Sequence, residues 1–360
     1  MDFLSAGADV ISTVTYQAHY MPLPGKEEDD AERRLRLDDA FVDGMLKDGV
    51  RLAKEAARQH AACTTGSKEY NGARKVARVA ASIGSLGGSL ADGSEYTGKF
   101  GLSIAEIESF HRRKVQVLAG EHPNILAFET IPCIEECCAI LNILKEEMAD
   151  GFGAGCAANV RPSIWLSFAC SDNEHLNDGK KLRDALLKVD ELDPEAKLLQ
   201  AIGINCCSFV NGKCIVLMLI CINMPNYARL PRFVRSYTMC ISLGHSASFF
   251  TSTVKALTEI IVDHIIQPGV PTRDIVLYPN SGEEWDASNA AWLEGTGTTA
   301  PDDFAQGIMT TVCNIQKKLQ QQRGSAKDPP SIIVGGCCRT TPETIAALRR
   351  CIDTMNGQVS

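Results

Sequence analysis

Two adjacent cysteines, Cys337 and Cys338, follow two glycines in the stretch IIVGGCCRTTPETI, Ile332 to Ile345. Thiolates are nucleophiles and soft metal ligands, so such a pair raises metal binding or redox chemistry. Successive side chains of a regular strand point to opposite faces, and both thiols reach one ion only if the backbone leaves extended geometry. Gly335 and Gly336 are expected to permit that departure. Cys206, at the end of LQAIGINC, would supply a third thiolate. Zinc takes thiolates at roughly 2.3 Å in a tetrahedron, and a catalytic site keeps one of four positions open, which three cysteines would satisfy. A redox pair of Cys337 with Cys338 is the weaker reading, because adjacent cysteines form strained disulfides and the chain contains no CxxC.

Cysteine is often a small buried hydrophobe, and Cys137, Cys138, Cys156 and Cys313 are assigned to packing on that ground. The candidate chemistry instead gathers at the ends of apolar segments. Thr15, Tyr16 and Gln17 close the first, Glu129 follows ILAF, Ser167 lies late in SIWLSF, Asn205 precedes Cys206, and Asn280 follows IVLYP. In parallel α/β folds, ligands bind where strands end at their carboxyl side.

The elements that must position these residues are seven short segments rich in Val and Ile. They run over Ala8–Tyr16, Lys75–Gly84, Ile125–Ile131, Ser163–Cys170, Leu199–Cys206, Asp274–Asn280 and Ser331–Gly336. Helical spacing follows them at Leu35–His60, Ser103–Glu121, Ile134–Asp150, Asp178–Asp190, Thr251–Ile266, Asp302–Gln322 and Pro342–Met355. Alternating β and α segments predict a parallel sheet covered by helices, either doubly wound or an eight-stranded barrel short of one unit. Pro342 and Glu343 suit a first helical turn, and Thr340 and Thr341 are expected to cap it. The stretch 209–250, with apolar runs lacking a clear period and six phenylalanine and tyrosine rings, stands where a connection of a few residues is expected. It reads as an insertion, with a lid over the site as the plainer alternative.

Composition narrows the function. A 360-residue chain with 45% hydrophobic residues can bury a full core, and a net charge of -8 offers no basic field for nucleic acid. The longest apolar run, Cys214 to Met224, is too short to span a bilayer as a helix. The first residues, MDFLSAGADV, lack the features of a secretory signal, and the cysteine count of fifteen is odd. A reducing compartment, the cytoplasm, is therefore expected.

Five segments carry a resemblance: AGADVISTVTYQA (Ala6 to Ala18), FETIP (Phe128 to Pro132), GINCC (Gly203 to Cys207), YPNSGE (Tyr278 to Glu283) and GGCCRTTPETI (Gly335 to Ile345). Together they are similar to the homocysteine S-methyltransferase family. The resemblance implies a single (β/α)8 TIM-type barrel domain over residues 1–360, in which Cys206, Cys337 and Cys338 hold Zn2+. It implies methyl transfer from a sulfonium, S-methylmethionine or S-adenosylmethionine rather than betaine, to homocysteine, giving methionine. Glu129 would bind the homocysteine ammonium, Asn205 and Asn280 would orient substrate or brace the cysteines, and Tyr16 and Ser167 would line the substrate pocket. A homocysteine thiol entering the open zinc position would become the reactive thiolate, and a neutral thioether would leave without help from a base.

The family pattern also has a first strand ending in an Asp-Gly-Gly-like turn, which this sequence does not contain. The resemblance thus implies a barrel without its first βα unit and with the 209–250 insertion after the sixth family strand. Two readings follow. One is a working zinc-dependent methyltransferase; the other is a truncated or non-catalytic form that binds zinc or a partner without turnover.

Overall fold

In the computed structural model, the described residues are 1–21, 38–64, 76–90, 94–149, 161–207, 247–283, 285–286, 291–292, 297–322 and 329–356. Each of the seven apolar segments contains a strand: β1 (Val10–Ser12), β2 (Arg78–Gly84), β3 (Ile125–Ile131), β4 (Ser163–Phe168), β5 (Ala201–Asn205), β6 (Asp274–Tyr278) and β7 (Ile332–Val334). All pair in parallel, and their order in the sheet is their order in the chain. The result is a curled, incomplete TIM-type barrel whose edges are β1 and β7 among the described residues. A two-stranded ribbon, Trp285–Asp286 with Ala291–Trp292, lies apart from this sheet.

The helices are α1 (Asp2–Ser5), α2 (Asp39–Thr64), α3 (Leu86–Leu90), α4 (Ile104–Gly120), α5 (Ile134–Ala149), α6 (Leu182–Leu192), α7 (Ala247–Ile265), α8 (Pro301–Gln322) and α9 (Pro342–Met355). Ser103 caps α4 in a reciprocal box, its hydroxyl accepting from the Glu106 N–H while the Glu106 carboxylate accepts from the Ser103 N–H. None of the described helices is long and apolar enough to cross a membrane. The expected boundaries shift in places. The first strand is only three residues long, because after Thr13 the chain leaves the ladder toward the site. Most of the 209–250 insertion, residues 209–246, lies outside the described residues, and residues 247–250 belong to α7.

Two-residue periodicity divides every central strand between two environments. Ala81, Ile83, Leu126, Phe128, Leu166, Ile202, Ile204, Ile275 and Leu277 join the large core beneath the helices. Their neighbours Ala80, Ile125, Ala127, Trp165, Ala201 and Val276 form a second cluster on the opposite, concave face. That face is tightly filled at Gly203, where any Cβ would collide with the Val276 carbonyl. Further along the same face, toward the carboxyl ends, the same alternation brings Ser82, Gly84, Glu129, Ser167, Asn205 and Tyr278. The concave side is thus apolar at one end and polar at the other.

Candidate functional site

The polar end is organised around Asn205. Its Oδ1 accepts from the Thr130 N–H at 2.8 Å and the Ser167 hydroxyl at 2.7 Å, and its Nδ2 donates to Thr130 Oγ1 at 2.9 Å. Thr130 needs this support. It sits at φ 62°, where the β3–β4 register breaks between Phe128 and Ile131, and its amide has left the ladder. Ser167 also meets the Tyr278 hydroxyl at 2.6 Å. Asn205, the last residue of β5, is therefore a brace across three strands.

The residue after Asn205 would continue the alternation toward the helices. Cys206 instead adopts φ 43°, a left-handed conformation costly for a residue with a Cβ. This turn brings its sulfur to the pair at the end of β7. Cys206 Sγ lies 3.6 Å from Cys338 Sγ, Cys337 Sγ lies 3.8 Å from Cys338 Sγ, and the three sulfurs fall within 4.8 Å of one another. Cys206 and Cys337 are in disulfide contact, with Cα atoms 6.0 Å apart. The structure thus brings the Cys337 sulfur closer to Cys206 than to its neighbour Cys338.

The glycines act otherwise than expected. Neither Gly335 nor Gly336 is left-handed; the left-handed residues flanking the cluster are Cys206 and Arg339, at φ 65°. Gly336 is required by space, because a Cβ there would lie 2.5 Å from the Thr340 side chain. Thr340 in turn donates its hydroxyl to the Cys337 carbonyl at 2.6 Å, so it closes the cysteine turn while Thr341 alone is the N-cap of α9. The Cys337 N–H donates to the Pro279 carbonyl at 2.8 Å and the Ser281 N–H to the Cys338 carbonyl at 3.0 Å, stitching the turn to the loop after β6. Arg339 makes two parallel bonds to Glu283, at 3.0 and 3.1 Å, across the same seam.

The donor set fits a thiophilic cation. Burial pushes the Cys338 thiol up to about 12, and a nearby Glu129 adds to the shift. Protein alone therefore disfavours the thiolate here, and a bound cation reverses that preference. A metal requires all three sulfurs as thiolates, so the form that could bind one is the reduced form.

The other expected residues surround this cluster. Glu129 is buried at the end of β3; burial raises its carboxyl, while the hydroxyls of Ser82 and Tyr278 and the charge of Lys114 draw it back. Tyr16 is buried with its ring against Gly84 and Gly88, and its hydroxyl has no hydrogen-bond partner. Asn280 is buried beside the cysteine turn with its Oδ1 likewise unpaired. Sequence reading passed over Tyr278, although alternation from Val276 puts it on the concave face. It also passed over Lys114, although its spacing from Ile107, Phe110 and His111 puts a lysine on the apolar stripe of α4.

Comparison with known proteins accords with this arrangement. The family model described as homocysteine S-methyltransferase matches residues 1–352. The chain is 31% identical over 363 residues to homocysteine S-methyltransferase 1 of Zea mays, covering 99% of this chain and 83% of the relative. It is 30% identical over 354 residues to homocysteine S-methyltransferase 1 of Brassica oleracea var. italica, covering 97% and 80%. Among solved structures, the metallated form of the homocysteine methyltransferase MmuM from Escherichia coli superposes with a TM-score of 0.60 at 24% identity, over 97% of this chain and 81% of that one. Its oxidized form gives 0.59 at 25% identity over the same shares. With three sulfurs gathered at the polar end of a curled parallel sheet and a family match along nearly its whole length, this chain is an enzyme of the homocysteine S-methyltransferase family.

Proposed function

We propose that the protein transfers a methyl group from a sulfonium donor, S-methylmethionine or S-adenosylmethionine, to homocysteine, with Cys206, Cys337 and Cys338 holding one zinc ion. The observation that carries this reading is the convergence of three sulfurs from β5 and β7 within 4.8 Å. Three thiolate ligands leave one tetrahedral position for a substrate. Zinc held by these cysteines would supply Lewis-acid stabilisation of a substrate thiolate.

The chain's own residues do the rest. Glu129 receives the amino acid's ammonium, and Asn205 and Ser167 keep Thr130 and the end of β3 in place beneath it. Asn280 offers its unpaired Oδ1 to substrate, and the Tyr16 ring walls the donor side. Methyl transfer from a sulfonium expels a neutral thioether, so these residues need only orient the two sulfurs in line. The seven parallel strands fit one barrel domain of the TIM type, incomplete among the described residues.

Among the described residues the sheet stays open between β1 and β7, which favours a second reading, a form that binds zinc without turnover. One experiment separates them. Protein purified under reductant is expected to contain about one zinc per chain and to form methionine from homocysteine with one of the two donors. Zinc without methionine, from either donor, leaves the second reading; no zinc with all cysteines reduced rejects both.

A further inference from the structure

Tyr278 stands at the centre of the site and has no part in the reaction above. It ends β6, the strand between the two that carry the cysteines. Its register partner is Asn205, the residue before Cys206, and its Cβ lies 3.5 Å from where a Cβ on Gly335 would sit, two residues before Cys337. It is partly exposed, whereas Ser167 and Asn205 are buried. The directions of the hydrogen bonds around it follow from counting protons. The Thr130 N–H can only donate, so the Asn205 atom it meets at 2.8 Å is the amide oxygen. Ser167, 2.7 Å from that oxygen, must give it its single proton, because two oxygens so close repel without one. The Phe128 carbonyl, at 3.4 Å, is the poorer acceptor. Ser167 is then left to accept from the Tyr278 hydroxyl at 2.6 Å.

Both hydroxyl protons thus run inward, from Tyr278 to Ser167 and from Ser167 to Asn205, and the Tyr278 oxygen keeps only lone pairs for anything else. Glu129 and Trp165 also act on this hydroxyl. The Trp165 indole N–H makes no hydrogen bond, and an ionised Glu129, like the Tyr278 oxygen, can only accept. Lys114, the cation that acts on Glu129, donates to the Tyr16 carbonyl at 2.8 Å. Two acceptors beside one another require a donor between them. We propose that Tyr278 is a substrate-recognition residue: its hydroxyl oxygen accepts a hydrogen bond from the ammonium of the bound amino acid, which Glu129 holds from the other side. The inference rests on the reading of Glu129 given above and adds a neutral contact to the same group.

The test uses the full reduced, zinc-loaded chain and three thiols, with affinities measured by calorimetry: homocysteine, its deaminated analogue 4-mercaptobutanoate and its decarboxylated analogue 3-aminopropanethiol. Tyr278→Phe removes the hydroxyl and leaves the bonds among Ser167, Asn205 and Thr130 in place, so the zinc content is expected to match wild type. It should weaken homocysteine and 3-aminopropanethiol about tenfold or more and leave 4-mercaptobutanoate nearly unchanged. Ser167→Ala keeps the phenol but takes away its acceptor, and the freed proton turns toward the mouth. There the preference for 3-aminopropanethiol over 4-mercaptobutanoate should shrink. Tyr278→Phe overturns the proposal if it weakens all three thiols equally, which marks a brace, or 4-mercaptobutanoate alone, which marks a donor to the carboxylate. An unchanged preference in either variant overturns it too, and Ser167→Ala decides alone should Tyr278→Phe fail to hold zinc. If Glu129→Gln keeps the wild-type preference while Tyr278→Phe loses it, the role of Glu129 falls and that of Tyr278 stands.

Discussion

Two buried polar clusters occupy opposite ends of the same strands, and they are built differently. At the amino end, Arg273 lies 1% exposed just before β6, with one amino group on Asp190 at 2.6 Å and the other on the Asp193 carbonyl at 2.6 Å and carboxylate at 3.2 Å. His264 meets the second Asp190 oxygen at 2.7 Å, and the Asp193 carboxylate accepts from the amides of Lys197, Leu198 and Leu199. Only Arg273 Nε there is unpaired among the described residues. At the carboxyl end, the Tyr16 hydroxyl and Asn280 Oδ1 are buried without partners, Cys206 and Thr130 are left-handed, and three cysteine sulfurs crowd one point. A satisfied cluster locks loops to the sheet. A cluster with unspent hydrogen-bonding capacity and strained backbone is poised for something outside the chain.

If that contrast is right, substitutions at the two ends should separate activity from stability. The largest effect is expected from Cys206→Ser or Cys338→Ser. Either should abolish stoichiometric zinc and lower methyl transfer by on the order of a thousandfold, with a urea midpoint close to that of zinc-free wild type. Arg273→Met should do the reverse. Stranding Asp190 and Asp193 should cost about 3–5 kcal/mol in urea unfolding, while the fraction that folds still binds zinc.

Asn205→Ala probes the boundary between the two behaviours, because Asn205 both braces β3 and adjoins Cys206. It should reduce turnover by about 10–100-fold and stability by about 1–3 kcal/mol, since the Thr130 amide loses its acceptor. Arg339→Lys, which breaks the two-bond clasp on Glu283 but keeps the charge, should cut turnover by about tenfold through a displaced cysteine turn.

The smallest effect is a pH dependence at the amino end. Burial lowers the His264 imidazole from its ordinary 6.5, with Asp190 pulling the other way. The folded value lies below the unfolded one, so the unfolded chain binds the proton more readily. Stability is thus complete above about pH 6.5 and declines as pH falls toward the folded value, by at most about 1.4 kcal/mol per pH unit for one proton. His264→Gln should flatten this part of the stability–pH curve.

Much of the site was legible because alternation is a local property. Glu129, Ser167 and Asn205 stand at strand ends that the Val- and Ile-rich runs already mark, and the same rule would have yielded Tyr278. The stripe of α4 likewise contained His111 and Lys114 in plain spacing. What misled was treating Gly335 and Gly336 as the flexible points: glycine permits an unusual backbone, yet here its missing Cβ makes room for Thr340, and the strain sits on Cys206 and Arg339.

The order of apolar segments, the positions of their polar ends and the supply of three thiols are fixed along the chain, since periodicity and composition act between near neighbours. That the sulfur of Cys206 meets those of Cys337 and Cys338, that Arg339 finds Glu283, and that Lys114 reaches the Tyr16 carbonyl are decided only when the sheet curls. Those contacts join residues far apart in sequence, and their free energy depends on burial, which no local stretch of chain possesses before it packs.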